Sequence, residues 1–215
     1  MKQLTEQLAR AIVRPRSRNT YKGSFGKILI IGGNAQYGGA AIMSASAAVY
    51  AGAGLVSVAT DPVNRSALHA RLPEAMILDA STSALETAIH QATVIVVGPG
   101  LGTDTTALKI LKRVFAAVSQ TQVLIIDGSA ITLVAAHHLA YPQAQLIWTP
   151  HQVEWQRLSG LALAAQTIEA SQQAAAKSLE SSLPKVPKRM YSSDTKSMPT
   201  QLADQPWQLA APVTP

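Results

Sequence analysis

The fold is decided by the stretch Val94-Ile95-Val96-Val97-Gly98-Pro99-Gly100-Leu101-Gly102, where an apolar, β-branched run leads directly into a glycine-rich corner. The same arrangement occurs earlier at Ile30-Ile31-Gly32-Gly33-Asn34 and later at Trp148-Thr149-Pro150-His151. Continuous apolar runs of this length are typical of strands covered on both faces of a parallel sheet. Ligands of such sheets bind beyond the carboxyl ends of the strands, where glycine lets backbone N–H groups approach a ligand. The three corners therefore predict a crevice for a phosphate-bearing small molecule.

Strand-like and helix-like segments alternate along most of the chain. The predicted strands are Lys27–Ile31, Leu55–Thr60, Ala75–Leu78, Val94–Val97, Val123–Asp127 and Leu146–Thr149. The predicted helices are Gly38–Tyr50, Pro62–Leu72, Ser83–Gln91, Asp104–Ser119, Ser129–His137, Gln152–Leu158 and Leu161–Leu179. Repeated strand–helix units indicate an α/β fold, a three-layer parallel sheet with helices on both faces and right-handed crossovers.

The composition indicates a folded protein. Of the 215 residues, 47% are hydrophobic and only 14% are charged, which excludes overall disorder. There is no cysteine, so disulfides and thiolate chemistry are excluded. Because Met1–Arg18 lacks the apolar core of a secretory signal, we predict a cytoplasmic protein. The uncharged run Ala40–Ala59 is long enough to span a membrane, but Gly52-Ala53-Gly54 breaks it, so we predict a buried helix–strand unit and no membrane partner.

The net charge of +6 is concentrated in the basic residues between Arg10 and Lys27. Basic clusters of this kind attract phosphates, so binding to nucleic acid is one interpretation. Tyr21 and Phe25 are the only aromatic residues nearby, and no nucleic-acid motif accompanies them. We therefore expect a solvated basic segment near an anionic ligand, and no nucleic-acid partner.

Three polar positions at strand ends could take part in binding or chemistry. Asp127 could bind a metal or a ligand hydroxyl, or it could be the N-cap of the next helix, a role for which Ser129 competes. His151 follows Thr149-Pro150 at a strand-to-helix turn, which favours a polar ligand contact over a surface role. Asp104 is a cap candidate, with Thr103 as the alternative, for the helix that Gly98–Gly102 opens.

Several segments together resemble the NAD(P)H-hydrate dehydratase family, which has a ribokinase-like fold. The resemblance covers residues 10–178. It is carried by Lys22-Gly23-Ser24-Phe25-Gly26-Lys27, Ile31-Gly32-Gly33, Tyr37-Gly38-Gly39-Ala40, Ala51-Gly52-Ala53-Gly54-Leu55-Val56, Pro73-Glu74-Ala75-Met76, Gly98-Pro99-Gly100-Leu101-Gly102, Asp127-Gly128-Ser129-Ala130 and Thr149-Pro150-His151.

The resemblance implies a lyase of metabolite repair, which dehydrates a hydrated nicotinamide cofactor with the help of ADP or ATP. It further implies hydrated NADH or NADPH as substrate, Mg²⁺ as a further cofactor and assembly into a homo-oligomer. By similarity, Ala40, Gly102 and His151 would contact the substrate. A later Lys-Gly-x-x-Thr segment would hold the nucleotide, and the aspartate of a Gly-Thr-Gly-Asp loop would act as the base.

The chain departs from the family pattern in two ways. Val153 stands where the Thr-Pro-His-x-Gly-Glu motif has its glycine. Neither Lys-Gly-x-x-Thr nor Gly-Thr-Gly-Asp is present, so no catalytic residue, nucleotide-binding residue or metal ligand is assigned. Near residue 180 the periodic apolar pattern gives way to frequent proline and serine. We therefore divide the chain into residues 1–178, an incomplete ribokinase-like domain lacking its C-terminal portion, and residues 179–215, a disordered tail foreign to the fold.

The codons of the tail offer an explanation for the missing segments. When Pro206 through Val213 and the start of Thr214 are read from the third base of each codon, they can encode Met-Ala-Thr-Gly-Gly-Thr-Gly-Asp. In the same shifted frame, Pro184 through Arg189 can encode Lys-Gly-Ala-Lys-Thr. A frameshift near residue 178 would produce both, and it predicts an inactive, poorly soluble chain with an exposed sheet edge. A genuine disordered extension is the alternative.

Three functions remain open at this point. The first is nucleotide-dependent dehydration of hydrated NADH or NADPH. The second is a small-molecule kinase of the same fold, acting on a sugar or vitamin alcohol, because fold alone does not separate the two. The third is a non-catalytic nucleotide-binding protein.

Overall fold

The computed structural model describes residue 6 and residues 16–180. Most of the basic amino-terminal segment and residues 181–215 lie outside the described residues. The predicted boundary at residue 178 falls within the last described helix, which runs to Glu180. The predicted tail is therefore almost wholly outside the part of the chain that the structure describes.

Within the described residues, six parallel strands form one sheet with the order β3-β2-β1-β4-β5-β6. The strands are β1 (Lys27–Ile31), β2 (Leu55–Thr60), β3 (Met76–Asp79), β4 (Val94–Val97), β5 (Val123–Ile126) and β6 (Gln145–Trp148). Every predicted strand is confirmed to within one residue at each end. The chain adds β2 and β3 on one side of β1, and then β4 to β6 on the other, so β1 and β4 are neighbours. The reversal creates a topological switch point at their carboxyl ends.

Seven helices connect and cover the strands in the described part of the chain. They are α1 (Gly38–Tyr50), α2 (Arg65–Arg71), α3 (Ala84–Gln91), α4 (Thr105–Ala117), α5 (Ser129–His137), α6 (Gln152–Ser159) and α7 (Ile168–Glu180). Short 3₁₀ turns occur at Lys22–Phe25, Pro62–Asn64 and Leu163–Ala165. The Asp104 side chain accepts a hydrogen bond from the N–H of Ala107 at 2.8 Å, so its predicted role as the cap of α4 is confirmed.

The prediction of one helix over Leu161–Leu179 is confirmed from Ile168 onward and is wrong for the segment before it. Gly160 ends α6 in the left-handed region, with φ of 76°. The side-chain amide of Gln166 then donates to the carbonyl oxygen of Leu161 at 3.3 Å, which stabilises an irregular segment. The Thr167 hydroxyl accepts from the N–H of Ala170 at 3.2 Å, at the start of α7. Polar side chains thus bind backbone groups that a continuous helix would have paired internally.

The core has a separate cluster on each face of the sheet. In β1, Leu29 and Ile31 pack with the cluster that includes α3, α4 and α5, whereas Ile28 and Ile30 pack with the cluster of α1 and α2. Successive side chains of a strand point to opposite faces, so one apolar run serves both clusters. Full burial of one such side chain is worth about 1.5–3 kcal/mol. The predicted three-layer arrangement, with helices on both faces, is confirmed.

The uncharged run Ala40–Ala59 divides as predicted. Its first part lies in α1, and its last part forms β2 in the sheet. No helix in the range that the structure describes is both long and apolar enough to cross a bilayer.

Arg113 ties α3, α4 and the loop after β3 together. Its Nε donates to Glu86 Oε1 at 2.6 Å, and its Nη2 donates to Glu86 Oε2 at 2.7 Å. Its Nη1 donates to the carbonyl oxygen of Ala80 at 2.9 Å, and Nη2 also donates to that of Thr82 at 2.6 Å. The hydrogen bonds from Arg113 lower the pKa of the Glu86 carboxyl to about 2.

Candidate functional site

The corners after β1 and β4 meet at the switch point. The N–H of Gly33 donates to the carbonyl oxygen of Pro99 at 2.8 Å, and the N–H of Asn34 donates to that of Gly100 at 2.7 Å. A Cβ on Gly32 would lie 2.1 Å from the Pro99 oxygen, so only glycine allows this contact between the corners. The prediction that corner N–H groups face a ligand is wrong for Gly33 and Asn34, because the opposite corner uses them.

An open cleft of about 620 Å³ lies beyond these corners. It is lined by residues from the corners, from α1 and α5, and from α6: Tyr37, Ala40, Met43, Ser44, Pro99, Gly100, Thr103, Asp127, Gly128, Ser129, Thr132, Glu154 and Arg157. Tyr37 and Met43 are exposed, so the α1 side of the cleft offers aromatic and apolar surface. The α5 and α6 side offers carboxylate, hydroxyl and guanidinium groups.

Two of the helices that begin at the cleft, α1 and α5, lack a side-chain cap. Tyr37 precedes α1 and Gly128 precedes α5, and neither helix start has a side-chain hydrogen bond. The first N–H groups of a helix carry partial positive charge and favour anions. Both starts line the cleft, so the backbone favours an anionic ligand there.

The Asn64 side chain holds the corner after β1 in place through hydrogen bonds to its backbone. Its side-chain amide donates to the carbonyl oxygens of Gly33 at 2.9 Å and Asn34 at 3.2 Å, and to Thr60 Oγ1 at 2.9 Å. Thr60 Oγ1 in turn donates to the Gly33 oxygen at 2.7 Å. Asn64 is buried, and Gly38 packs directly against its side-chain oxygen. This network fixes the segment that brings Tyr37 to the cleft.

Asp127 lines the cleft at the end of β5. Its Oδ1 accepts a hydrogen bond from Thr149 Oγ1 at 2.7 Å, which links the ends of β5 and β6. The N-cap interpretation is wrong for Asp127 and for Ser129, because Gly128 occupies the N-cap position and no side chain caps α5. The metal or hydroxyl contact stays a prediction for Asp127.

The structure brings Ala40 and Gly102 to the same region. Ala40 lines the cleft directly. Gly102 lies between Gly100 and Thr103, both of which line it, and the Gly102 N–H donates to Ser129 Oγ at 3.2 Å. Gly102 has φ of +89°, and a Cβ there would lie 2.8 Å from the side-chain nitrogen of Asn34. Its backbone therefore joins the corner after β4 to the start of α5, and both positions stay predicted substrate contacts.

His151 has a local role that the sequence did not reveal. Its Nδ1 accepts from the N–H groups of Val153 at 3.1 Å and Glu154 at 3.3 Å, so the ring caps α6. Glu154 is buried and completes a capping box, because its Oε2 accepts from the His151 N–H at 3.0 Å. His151 is not among the residues that line the cleft, but its side chain is 65% exposed. Its predicted ligand contact stays a prediction.

Sequence reasoning did not single out Arg157 or Asn64. Arg157 lines the cleft, and its Nη1 donates to Thr132 Oγ1 at 3.2 Å. It lies three residues after Glu154, a spacing that places two side chains on one helix face, so this signal was available in the sequence. Asn64 carried no such signal, since its partners depend on how β1 and β2 pair.

The residues that the structure describes present no cluster of metal ligands for a magnesium–nucleotide complex. No group of three or more His, Cys, Asp or Glu residues converges within the described ranges. Asp127 and Glu154 both line the cleft, but the oxygens of Glu154 face His151. The sequence also contains no Lys-Gly-x-x-Thr segment that would hold a nucleotide.

Comparison with known proteins gives consistent matches. A family model described as NAD(P)H-hydrate dehydratase matches residues 28–187. The chain is 52% identical over 171 residues to the ADP-dependent (S)-NAD(P)H-hydrate dehydratase of Lactiplantibacillus plantarum, covering 79% of this chain and 61% of that protein. The enzyme of the same description from Enterococcus faecalis is 47% identical over 180 residues, covering 82% of this chain and 62% of its own length.

The fold has a close match among solved structures. The crystal structure of a ribokinase-like superfamily protein from Enterococcus faecalis superposes with a TM-score of 0.77 at 47% identity, covering 81% of this chain and 62% of that one. The ribokinase-like fold predicted from the sequence is confirmed. The chain spans about three fifths of the length of the curated relatives it matches.

Proposed function

Because the chain belongs to the NAD(P)H-hydrate dehydratase family, we propose that its cleft binds hydrated NADH or NADPH. The family match covers residues 28–187 and so includes every residue that lines the cleft. The observation that carries the proposal is the cleft itself, at the switch point between β1 and β4. It combines an aromatic and apolar side with two uncapped helix starts, which suits a ligand that joins a nicotinamide ring to phosphate groups.

Ala40, Gly102 and His151 are the proposed substrate contacts. Ala40 supports this directly, since it lines the cleft beside the start of α1. Gly102 would act through its backbone, which the hydrogen bond to Ser129 holds in place. His151 Nε2 lies 3.4 Å from Glu154 Oε1. A ligand that contacts this nitrogen would therefore have to displace the Glu154 oxygen.

The complete reaction would be the dehydration of the hydrated ring with ADP, as the relatives' description indicates. ATP as the alternative nucleotide and Mg²⁺ as a further cofactor are what the resemblance implies. This chain's own residues would bind and orient the hydrated nicotinamide cofactor in the cleft. The sequence contains no Gly-Thr-Gly-Asp loop to supply a base. We therefore propose that this chain binds the substrate without turning it over, which keeps a non-catalytic binding protein as the second candidate.

A cytoplasmic location and assembly with copies of itself complete the proposal. The absence of cysteine from all 215 residues is consistent with a reducing compartment. An exposed apolar stripe on α1, formed by Met43, Ala47 and Tyr50, would suit contact with another copy.

The binding proposal is tested by isothermal titration of hydrated NADH into the purified chain, with unmodified NADH as the reference ligand. We expect saturable binding that favours the hydrated form. A40L should abolish it by filling the cleft, whereas A47L, an exposed position on the same helix, should leave it intact. Equal binding to A40L and A47L, or no preference for the hydrated form, would contradict the proposed site.

The coding DNA tests the frameshift interpretation. We expect the frame shifted near codon 178 to run open through Lys-Gly-Ala-Lys-Thr and Gly-Thr-Gly-Asp. A chain restored to that frame should convert hydrated NADH to NADH when ADP or ATP is supplied, measured by the recovered absorbance of the reduced ring. A shifted frame without the Gly-Thr-Gly-Asp loop would instead identify residues 179–215 as a genuine extension.

A further inference from the structure

Arg157 is a cation on the wall of the cleft, and none of the described residues is an acidic partner for it. It lines the cleft from α6, and the described residues place no carboxylate in an ion pair with it. We infer that Arg157, held by Thr132, forms a subsite that binds a phosphate group of the ligand. This inference rests on the proposed function, because it names the part of the dinucleotide substrate that the α5 and α6 wall contacts.

The charges around the cleft make a cation necessary for such a ligand. The acidic residues Asp127 and Glu154 line the same wall, and Arg157 is the one Lys or Arg among the described lining residues. A phosphate carries negative charge and would be repelled by the two acidic side chains alone. Arg157 therefore supplies the side-chain charge that an anionic ligand needs on this wall.

Glu154 does not neutralise Arg157, although the two are three residues apart on α6. The Glu154 carboxylate is directed to His151, with Oε2 accepting from the backbone N–H at 3.0 Å and Oε1 lying 3.4 Å from the ring Nε2. The capping box thus keeps the nearest acid away from the guanidinium. Within the part of the chain that the structure describes, Arg157 uses one of its five N–H donors, in the bond to Thr132.

The bond to Thr132 positions the guanidinium before a ligand arrives. Thr132 Oγ1 on α5 accepts from Arg157 Nη1 at 3.2 Å, and both residues line the cleft. A planar guanidinium held at one nitrogen can still present two parallel N–H groups to two phosphate oxygens. A lysine at this position would keep the charge but would lose that paired geometry.

The test uses inorganic pyrophosphate as the probe, titrated into the full chain and followed by ³¹P NMR. We expect saturable binding to the unaltered protein and roughly tenfold weaker binding to R157Q, the loss typical of one charge-assisted contact. R157K should retain part of the affinity, and T132V should weaken binding less than R157Q does. K112Q removes an exposed cation that does not line the cleft and should have no effect.

Two outcomes would overturn the inference: no saturable binding of pyrophosphate, or equal affinity for R157Q and the unaltered chain. The inference would also be overturned if R157Q and T132V lost the same affinity for pyrophosphate and the same thermal stability. That result would indicate that the Arg157–Thr132 bond only holds α5 and α6 together. The same measurements distinguish a failure of the proposed function from a failure of the subsite. If pyrophosphate binds through Arg157 but hydrated NADH does not bind, the function is wrong and the subsite stands. If hydrated NADH binds equally to R157Q, the function stands and the subsite is wrong.

Discussion

Asn64→Ala should destabilise the fold because the Asn64 side chain holds the corner after β1. The amide makes hydrogen bonds to the carbonyl oxygens of Gly33 and Asn34 and to Thr60 Oγ1. The Gly33 oxygen would keep its bonds from the Asp61 N–H at 3.1 Å and from Thr60 Oγ1 at 2.7 Å. The Asn34 oxygen would lose the amide. The damage is therefore concentrated on one carbonyl and on the space that the side chain leaves.

The size of the effect follows from these bonds. A buried hydrogen bond contributes a net 0.5–1.5 kcal/mol, and an acceptor left without its partner costs about 1–3 kcal/mol. Because the Gly33 oxygen stays paired and the Asn34 oxygen loses its amide partner, we expect N64A to lower the free energy of unfolding by about 2–3 kcal/mol. N64D should cost more, since its carboxylate would face carbonyl oxygens.

N64D also has a signature in pH. The new carboxyl would have a raised pKa in the folded state, so the folded state would bind more protons than the unfolded state. Its stability should therefore fall as the pH rises above about 4. N64A should show no such slope relative to the unaltered chain.

Urea denaturation measures these changes as a shift of the midpoint at unchanged slope. N19A is the matched control, since Asn19 is exposed, and it should stay within about 0.5 kcal/mol of the unaltered chain. An N64A chain as stable as the N19A chain would refute the reasoning. If the free energy of unfolding of N64D did not depend on pH, the new carboxylate would not be facing the carbonyl oxygens of the corner.

Three further predictions concern other parts of the fold. Arg113 lowers the pKa of Glu86 to about 2, so the stabilisation by the ionised carboxylate should be fully present above pH 4.5 and lost as the pH falls through 2. The free energies of unfolding of the unaltered chain and of E86Q, measured against pH, should therefore converge near pH 2. A difference between them that persists at that pH would contradict this. G100A should lower the free energy of unfolding by about 2 kcal/mol and the melting temperature by several degrees, because φ is +65° and the new Cβ would lie 2.2 Å from a carbonyl oxygen. G39A is the control: its new Cβ would have no atom within 4 Å, so it should not lower the melting temperature. H151A should lose about 1 kcal/mol with the cap of α6, while H151N should restore the cap; affinity for hydrated NADH that returns in H151N would show that the ring does not contact the substrate.

Local sequence patterns were sufficient for the layers of this protein. The β-branched run Val94–Val97 and its counterparts predicted the strands to within one residue, because a strand buried on both faces needs an unbroken apolar run. Gly52-Ala53-Gly54 correctly divided the uncharged segment into a helix and a strand. The glycine corners indicated the position of the cleft, since parallel strands place their carboxyl ends at one edge of the sheet.

Other features depended on contacts between segments far apart in the sequence. The N–H groups of Gly33 and Asn34 bond to the corner after β4, a pairing that exists only because β1 and β4 are neighbours in the sheet. Asn64 likewise gained its partners from the way β1 pairs with β2. Sequence reasoning could not assign these hydrogen bonds, because the order of the strands decides which polar groups meet.

At the cleft, the sequence by itself determined which residue types follow the strand ends, and the tertiary structure decided which of them line the cleft and what each contacts. His151 and Glu154 were visible in the motif, but only the folded turn shows that they bond to each other and cap α6. Because the Glu154 carboxylate is paired with His151, it does not form an ion pair with Arg157 on the next turn of the helix. The Arg157 guanidinium instead lines the cleft and donates to Thr132 Oγ1.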